Sequence, residues 1–424
     1  MQELFNPHAL SGDALVVTLS TVAARKGQLL FLDDKAVSGL KLYSQYWPGP
    51  VRCIFREGSA SAITFGSWHD TDTLPFEIVV IPAVGSVPES MLQDAAVVLA
   101  SGDNHLNFPL AEQCRSLDLP LVYSIEYILE TRLQVIALSG VPLIKRLKSM
   151  LWAVKTELAR RAALRLAHAL QANGVPAARS YARVNRRIIT YFDTRLSKTM
   201  IASPSEVAGK ATRRDAGAPL RLAFSGRLER MKGADHLLPL IERLVARGLD
   251  FEFHIFGAGS ISEQLNNAAG RKEFANRLVF HGPVKFEAEL VPWMRAQADV
   301  FVCCHRQSDP SCTYLETLGC GVPIVGYRNR AFEGIVNMAD AGWVVDKDDL
   351  DALADEIARL NQQRDEITTK SRAALAFARK NTFEKTFFNR IAQLRPMLTR
   401  RKFGDRARVT SRIPSEKIAE TFHI

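Results

Sequence analysis

Cysteine is scarce in this chain, 6 of 424 residues, and no Cys-x2-Cys pair occurs. That pattern excludes a disulfide scaffold and the common structural zinc sites. Cys303, Cys304, His305 and Cys312 lie close in sequence. Adjacent side chains on a strand point to opposite faces, however, so Cys303 and Cys304 do not readily share one ion, and no metal site is expected. Long apolar runs are also missing: no stretch of about 18 uncharged apolar residues is present, so nothing reads as a membrane span. No secretory leader pattern precedes the first apolar run, which with the sparse cysteine makes a reducing cytoplasm the expected compartment. Neither a repeat of solenoid period nor an interleaved aromatic and basic pattern is found, so no nucleic-acid partner is expected.

What is present is a large apolar fraction, 47% of residues, and a formal net charge of +10. A chain of this length buries a sizeable core in two or three domains. The charge suits work near a polyanion, meaning nucleic acid, anionic lipid or an acidic substrate, and by itself does not choose among them.

Apolar runs alternate with helical patterns and turn signals throughout. In the first half, 14–19, 28–32, 51–55, 77–81, 95–100 and 119–124 read as buried strands, followed by a basic helical pattern over 143–172 and short runs near 167–171 and 188–191. The stretch from 197 to 219 shows no clear apolar period and reads as a connection between domains. A second alternation places strands at 221–224, 251–256, 278–281, 300–303, 323–325 and 342–345, with helices at 234–247, 262–269, 287–296 and 350–362. The expected fold class is α/β, with two Rossmann-like, doubly wound domains facing across a cleft. The expected boundaries are 1–200 for the N-terminal Rossmann-like domain, 201–219 for the linker, 220–382 for the C-terminal Rossmann-like domain, 383–398 for a further helix and 399–424 for a basic tail.

The chemistry gathers at the ends of the second set of strands. Gly226 and Arg227 end the first, and Lys232 and Gly233 open the next helix. Arg227 as a fork and Lys232 as a point charge can reach one diphosphate. Gly257 and Gly259 form the neighbouring turn. The segment SDPSCTYLETLGCGVPIVG, 308–326, puts Glu316 on a short helix whose carboxylate can accept two ribose hydroxyls while the upstream amides face a phosphate. Taken singly, each has an ordinary reading: a lone Glu caps or solvates its helix, and a lone Arg or Lys is surface charge. Their convergence at one crevice favours a nucleotide-sugar site.

The order GRLERMKG, FHIFGAGS, LVFHGPV, ADVFVCC, YLETLGCGVPIVG and AGWVVDKDDLDALADEIARL resembles the donor-binding half of GT-B retaining glycosyltransferases of family 4 (glycosyl transferases group 1). The resemblance implies that Arg227 and Lys232 neutralise the leaving diphosphate, that Glu316 binds the ribose, and that backbone near Pro283 and Val284 meets the base. It implies a nucleoside diphosphate sugar as donor substrate, no cofactor and no metal, and a glycan or lipid-linked glycan as acceptor in cell-surface synthesis. Departures stand out. A second Glu is expected at Ser308, where Asp309 follows as the candidate sugar contact, and Pro310 replaces a loop glycine, leaving Ser311, Cys312 and Thr313 as phosphate-loop candidates. On the acceptor side the glycine loop is reduced to Ser38-Gly39-Leu40, and His105 and Glu126 are the remaining candidates. These departures leave open an alternative, a non-catalytic GT-B protein that binds nucleotide sugar or partners an active transferase. A peripheral position at the inner face of the cytoplasmic membrane, through the basic helix and the tail 400–412, is also expected; the competing reading packs the helix's apolar side on the first domain's sheet.

Overall fold

The computed structural model describes residues 14–410, with side chains to 398. The end of the expected basic tail, from 411, lies outside the described residues. Two compact units divide the chain. One comprises the residues up to Tyr123 with Leu166–His168 and the segment from Phe388; the other comprises Ser124–Arg165 and Ala169–Phe387. Segments 124–165 and 169–200, expected in the first domain, therefore group with the second. Thr131 and Gln134 hydrogen bond the Ser308 backbone, for instance, and Thr386 bonds the Phe192 carbonyl.

In the first unit, β1 (Ala14–Lys26), β3 (Val51–Glu57), β5 (Glu77–Ile81) and β6 (Ala95–Ser101) are parallel, with β7 (Leu121–Ile125) beside β6. Every residue of β6 is buried, as expected of a strand covered on both faces. The far half of β1 leaves this sheet at an irregularity between Thr18 and Val22 and pairs antiparallel with β2 (Leu29–Asp33), which pairs antiparallel with β4 (Gly66–Asp70). Gly39 lies buried inside the helix Asp34–Tyr46, started by the Asp33 side chain on the Ala36 amide, so the expected Ser38-Gly39-Leu40 loop is helix interior. The helix Phe383–Thr410 belongs to this unit from Phe388 onward, where Phe388 meets Tyr46 edge-on and Arg395 bonds the Tyr46 carbonyl.

The second unit holds the parallel pair β8 (Ala169–Asn173) and β9 (Ile188–Tyr191) and a six-stranded parallel sheet. That sheet comprises β10 (Leu220–Ser225), β11 (Phe251–Phe256), β12 (Leu278–Gly282), β13 (Val300–Cys303), β14 (Ile324–Tyr327) and β15 (Gly342–Val345), in the order β12-β11-β10-β13-β14-β15. The order reverses direction after β12, which makes the adjacent β10 and β13 ends the natural crevice. Phe224, Phe253, Ile255 and Val302 fill one core and Ala223, Phe301, Leu318 and Ile324 another, so both faces of the sheet are covered. Cys303 faces the second core and Cys304 the first, the opposed orientation expected of neighbours.

Three elements depart from expectation. The basic helix is Leu143–Leu166 and stops short of 172, where β8 has begun. The expected linker contains a helix, Pro204–Asp215, started by a capping box between Ser203 and Glu206. Its ties are polar: Glu206 pairs with Arg295, Lys210 donates to the Cys320 and Gly321 carbonyls, and Arg214 pairs with buried Asp299. A helix held this way shows little apolar period. The helix Arg364–Lys380 follows the helix Leu350–Gln362 and carries buried Ile367, Ala374, Leu375 and Ala378.

Candidate functional site

Three strand-end turns make the corner of the site. Gly226, at φ 149°, bonds the Phe256 carbonyl, and Gly257, at φ 130°, bonds the Gly282 carbonyl. A Cβ on Gly257 would lie 1.9 Å from the Gly226 oxygen, and one on Gly259 2.5 Å from the Leu228 oxygen. Only glycine lets these backbones touch. Glu229, not anticipated as a site residue, closes the corner by accepting from the Ser260 amide and hydroxyl at 3.0 and 2.8 Å.

Arg227 projects from this corner into solvent. Among the described residues its side chain makes one hydrogen bond, a 3.8 Å contact to the Met231 sulfur, and no ion pair. Lys232 turns the other way. Gly233, at φ 66°, packs its α-carbon against the Cys304 carbonyl, where a Cβ would come within 2.0 Å. This close approach carries Lys232 under the end of β13, where its ammonium lies 2.7 Å from Asp309 Oδ2. The two side chains are only 9% and 11% exposed. Burial raises the Asp309 carboxyl, but the Lys232 charge outweighs it and leaves the group below its ordinary 3.8. His305, fully buried beside them, is pushed down to about 3 by burial and then by Lys232, so it is a neutral imidazole near pH 7. Its carbonyl accepts from Asn329, whose amide also reaches the Tyr314 hydroxyl. The Lys232–Asp309 pair thus sits on a shell of buried, neutral, hydrogen-bonded groups, and His305, Tyr314 and Asn329 carry no motif that marked them.

Ser308 is buried and fully engaged. Its hydroxyl accepts from the Arg330 amide and its carbonyl from Thr131. Pro310 sits over Gly174, whose Cβ would lie 3.1 Å from the proline Cβ. Ser311 precedes the helix Cys312–Gly319 without capping it, and its hydroxyl donates instead to Thr313. The first amides of that helix therefore have no side-chain cap, the condition in which a helix start receives an anion. Cys312 approaches Asp193 at 4.0 Å.

Glu316 lies one turn further, nearly buried, and accepts the Arg195 guanidinium through both oxygens at 2.9 and 3.3 Å. A carboxylate offers about four lone-pair positions, so two acceptor positions remain. Arg195 stacks over Phe286 at 4.1 Å, which brings the loop after β12, with Pro283 and Val284, against the Glu316 helix. The expected base and ribose positions are neighbours through a residue that sequence reasoning passed over, since nothing marks Arg195 among the surrounding polar residues. In the first unit, exposed His105 opens a short helical turn at the end of β6. Exposed Glu126 follows β7.

Two parallel-sheet α/β units, with glycine turns, cations and an uncapped helix start at the carboxyl ends of the second sheet, have the fold seen in GT-B structures. HepE of Anabaena, solved with UDP, superposes with TM-score 0.59 at 17% identity over 90% of this chain and 99% of its own. WaaG, a glycosyltransferase involved in lipopolysaccharide biosynthesis, superposes with TM-score 0.55 at 14% identity, over 90% and 99%. From sequence, residues 219–363 match the model of Glycosyl transferases group 1. The GDP-mannose-dependent alpha-(1-6)-phosphatidylinositol monomannoside mannosyltransferase of Mycolicibacterium smegmatis is 32% identical over 141 residues, 32% of this chain and 36% of that protein. The lipopolysaccharide core mannosyltransferase LpsB of Rhizobium meliloti is 26% identical over 163 residues, 37% and 45%. The chain thus spans less than half the length of these curated relatives.

Proposed function

We propose that this protein is a retaining glycosyltransferase that moves a sugar from a nucleoside diphosphate sugar to a glycan or lipid-linked glycan acceptor in cell-surface glycan synthesis. The observation that carries the reading is the unequal cation pair at the β10 end: Arg227 exposed and unpaired with any described carboxylate, Lys232 buried on Asp309. A donor diphosphate seated between them and the start of the helix Cys312–Gly319 has its developing charge met without a metal ion, by one mobile fork, one fixed ammonium and backbone amides. Glu316 takes the ribose on its free lone pairs, and the loop at Pro283 and Val284 takes the base. The departing phosphate oxygen, held by the cations, accepts the proton of the incoming hydroxyl on the same face, which retains the anomeric configuration. Asp309 serves this reaction by holding Lys232 in place, with His305 kept neutral so that it adds no competing charge. The two mannosyltransferases named above make mannose the first donor sugar to try.

The same reading places the protein peripherally at the inner face of the cytoplasmic membrane, where lipid-linked and growing glycans are presented. The test is a thermal-stability screen against nucleoside diphosphate sugars, followed by turnover of the stabilising donor. Stabilisation and turnover that both disappear in Arg227→Ala support the reading. Stabilisation without turnover on any acceptor would favour a non-catalytic binder, and stabilisation by none would end the donor assignment.

A further inference from the structure

The helix Leu143–Leu166 is turned inside out. Its buried side carries Ala153, Glu157, Arg160 and Ala163, joined only in the last turns by a large aliphatic residue, Leu164. Glu157 accepts from the Tyr181 hydroxyl at 3.0 and 3.1 Å and from Arg161 at 2.9 Å, while Arg160 reaches the Tyr127 carbonyl at 2.6 Å and lies over the Tyr181 ring. Its apolar side faces solvent. Leu143, Leu147, Leu151 and Leu158 are 75%, 61%, 63% and 69% exposed, and Ile144 and Val154 belong to the same stripe. At 100° per residue these six positions span about a quarter of the helix circumference over more than four turns. The competing reading, in which this side packs on a sheet, is overturned, because up to Ala163 the inward side is made of charge and small residues, with Leu164 the one large aliphatic residue that follows.

Six aligned aliphatic side chains left in water on one helix are costly unless something covers them. The charge around the stripe says what. Lys148 and Lys155 border one edge, and exposed Lys145 and Arg165 lie near its two ends. The only acid on the helix, Glu157, is buried and spent on Tyr181 and Arg161. Trp152, 53% exposed, flanks the stripe beyond Lys148. A second copy docked through the same face would set lysine against lysine with no acid to answer it. Resting on the placement proposed above, but carried by this separate observation, we propose that the exposed face of Leu143–Leu166 is a membrane-docking surface that lies in the headgroup layer of an anionic bilayer. The aliphatic stripe enters the acyl boundary and the flanking lysines remain with the lipid phosphates.

The test is co-sedimentation of the full chain with vesicles of phosphatidylglycerol and phosphatidylcholine, and with phosphatidylcholine vesicles alone, at low and high salt. The wild type is expected to partition into the anionic vesicles more than about tenfold better than into the neutral ones, with binding that fades as salt rises. Leu147→Gln/Leu151→Gln/Leu158→Gln should lose that partitioning by about tenfold or more, with an unchanged far-ultraviolet dichroism spectrum. Lys148→Gln/Lys155→Gln should keep the apolar contribution but flatten the salt dependence. No sedimentation of the wild type at low salt, equal sedimentation of the triple variant, or indifference to lipid charge would each overturn the proposal. So would a dimer that the triple variant dissolves without any vesicle binding, which would assign the face to a second copy. None of these readouts requires sugar transfer, so a failure here is distinguishable from a failure of the donor site.

Discussion

Replacing Asp309 with Asn leaves the Lys232 ammonium buried without its carboxylate. The pair is 2.7 Å apart with side chains 9% and 11% exposed, so little water replaces the lost anion. Removing one partner of such a pair costs about 3 to 5 kcal/mol, and because the Asn amide still accepts a hydrogen bond the lower end, about 3 kcal/mol, is expected. A nucleoside diphosphate changes the comparison. Ligand at a hundredfold over its Kd adds about 2.7 kcal/mol to any protein that binds it only when folded. In the variant it also supplies the anion that Lys232 has lost, so its affinity, and hence the stabilisation at equal concentration, should exceed that of the wild type. Urea unfolding near neutral pH, with and without UDP or GDP, measures both quantities. Acid gives a second check. The folded Asp309 carboxyl lies below 3.8, so the pair's contribution is present at neutral pH, is complete above the unfolded value and is lost as pH falls through the folded one; the variant should lack that part of the acid transition. An Asp309→Asn protein as stable as wild type, or one stabilised by the diphosphate no more than wild type, would refute the pairing argument.

Three further outcomes follow from the same geometry. Arg227→Ala should leave the unfolding transition unchanged, because the side chain is exposed, while slowing sugar transfer by roughly a hundredfold to a thousandfold; wild-type turnover would remove Arg227 from the site. Gly233→Ala should cost about 2 to 4 kcal/mol, since φ is 66° and the new Cβ would meet the Cys304 oxygen at 2.0 Å, and should weaken diphosphate binding because Lys232 moves with it; a neutral effect on both would show that the turn relaxes freely. Lys210, on the buried side of the helix Pro204–Asp215, is pushed by burial from 10.5 down to about 8. Over that interval the unfolded chain holds a proton that the folded chain has released, so the stability of wild type relative to Lys210→Met should rise with pH by on the order of 3 kcal/mol; parallel pH curves would contradict it.

The second sheet was legible because its strands are short, apolar and closed by glycine turns at their carboxyl ends. Strands over 251–256, 300–303 and 342–345 and helices over 262–269 and 350–362 coincide with those found. Pattern reading failed where structure rests on polar groups. The helix Pro204–Asp215 offers only Val207 as a buried large apolar side chain and is held by Arg295, Asp299 and backbone carbonyls remote in sequence. Arg195 reaches Glu316 across 121 positions, and Lys232 reaches Asp309 across 77, so neither pairing is visible in a local window. The basic helix was legible as a helix, but which side faces inward was not, because that depends on Tyr181 accepting a charged partner into the interior.

The contact between the Gly226 oxygen and the Gly257 position, where a Cβ would sit 1.9 Å away, has a consequence for how this scaffold can change. Two turns from different strands touch there through main chain alone, with no side chain between them to be exchanged. A Cβ at Gly257 would strike the Gly226 main chain and Gly226 itself is held at φ 149°, so neither glycine is readily traded and the corner offers selection almost no graded intermediates. Under the proposed donor reading, variation in the sugar or base would accumulate instead in the segments after β12 and β13, where Phe286, Ser308 and Pro310 are joined to their surroundings by replaceable side chains. A library built to retarget the donor would therefore hold the glycine corner fixed and randomise those two loops.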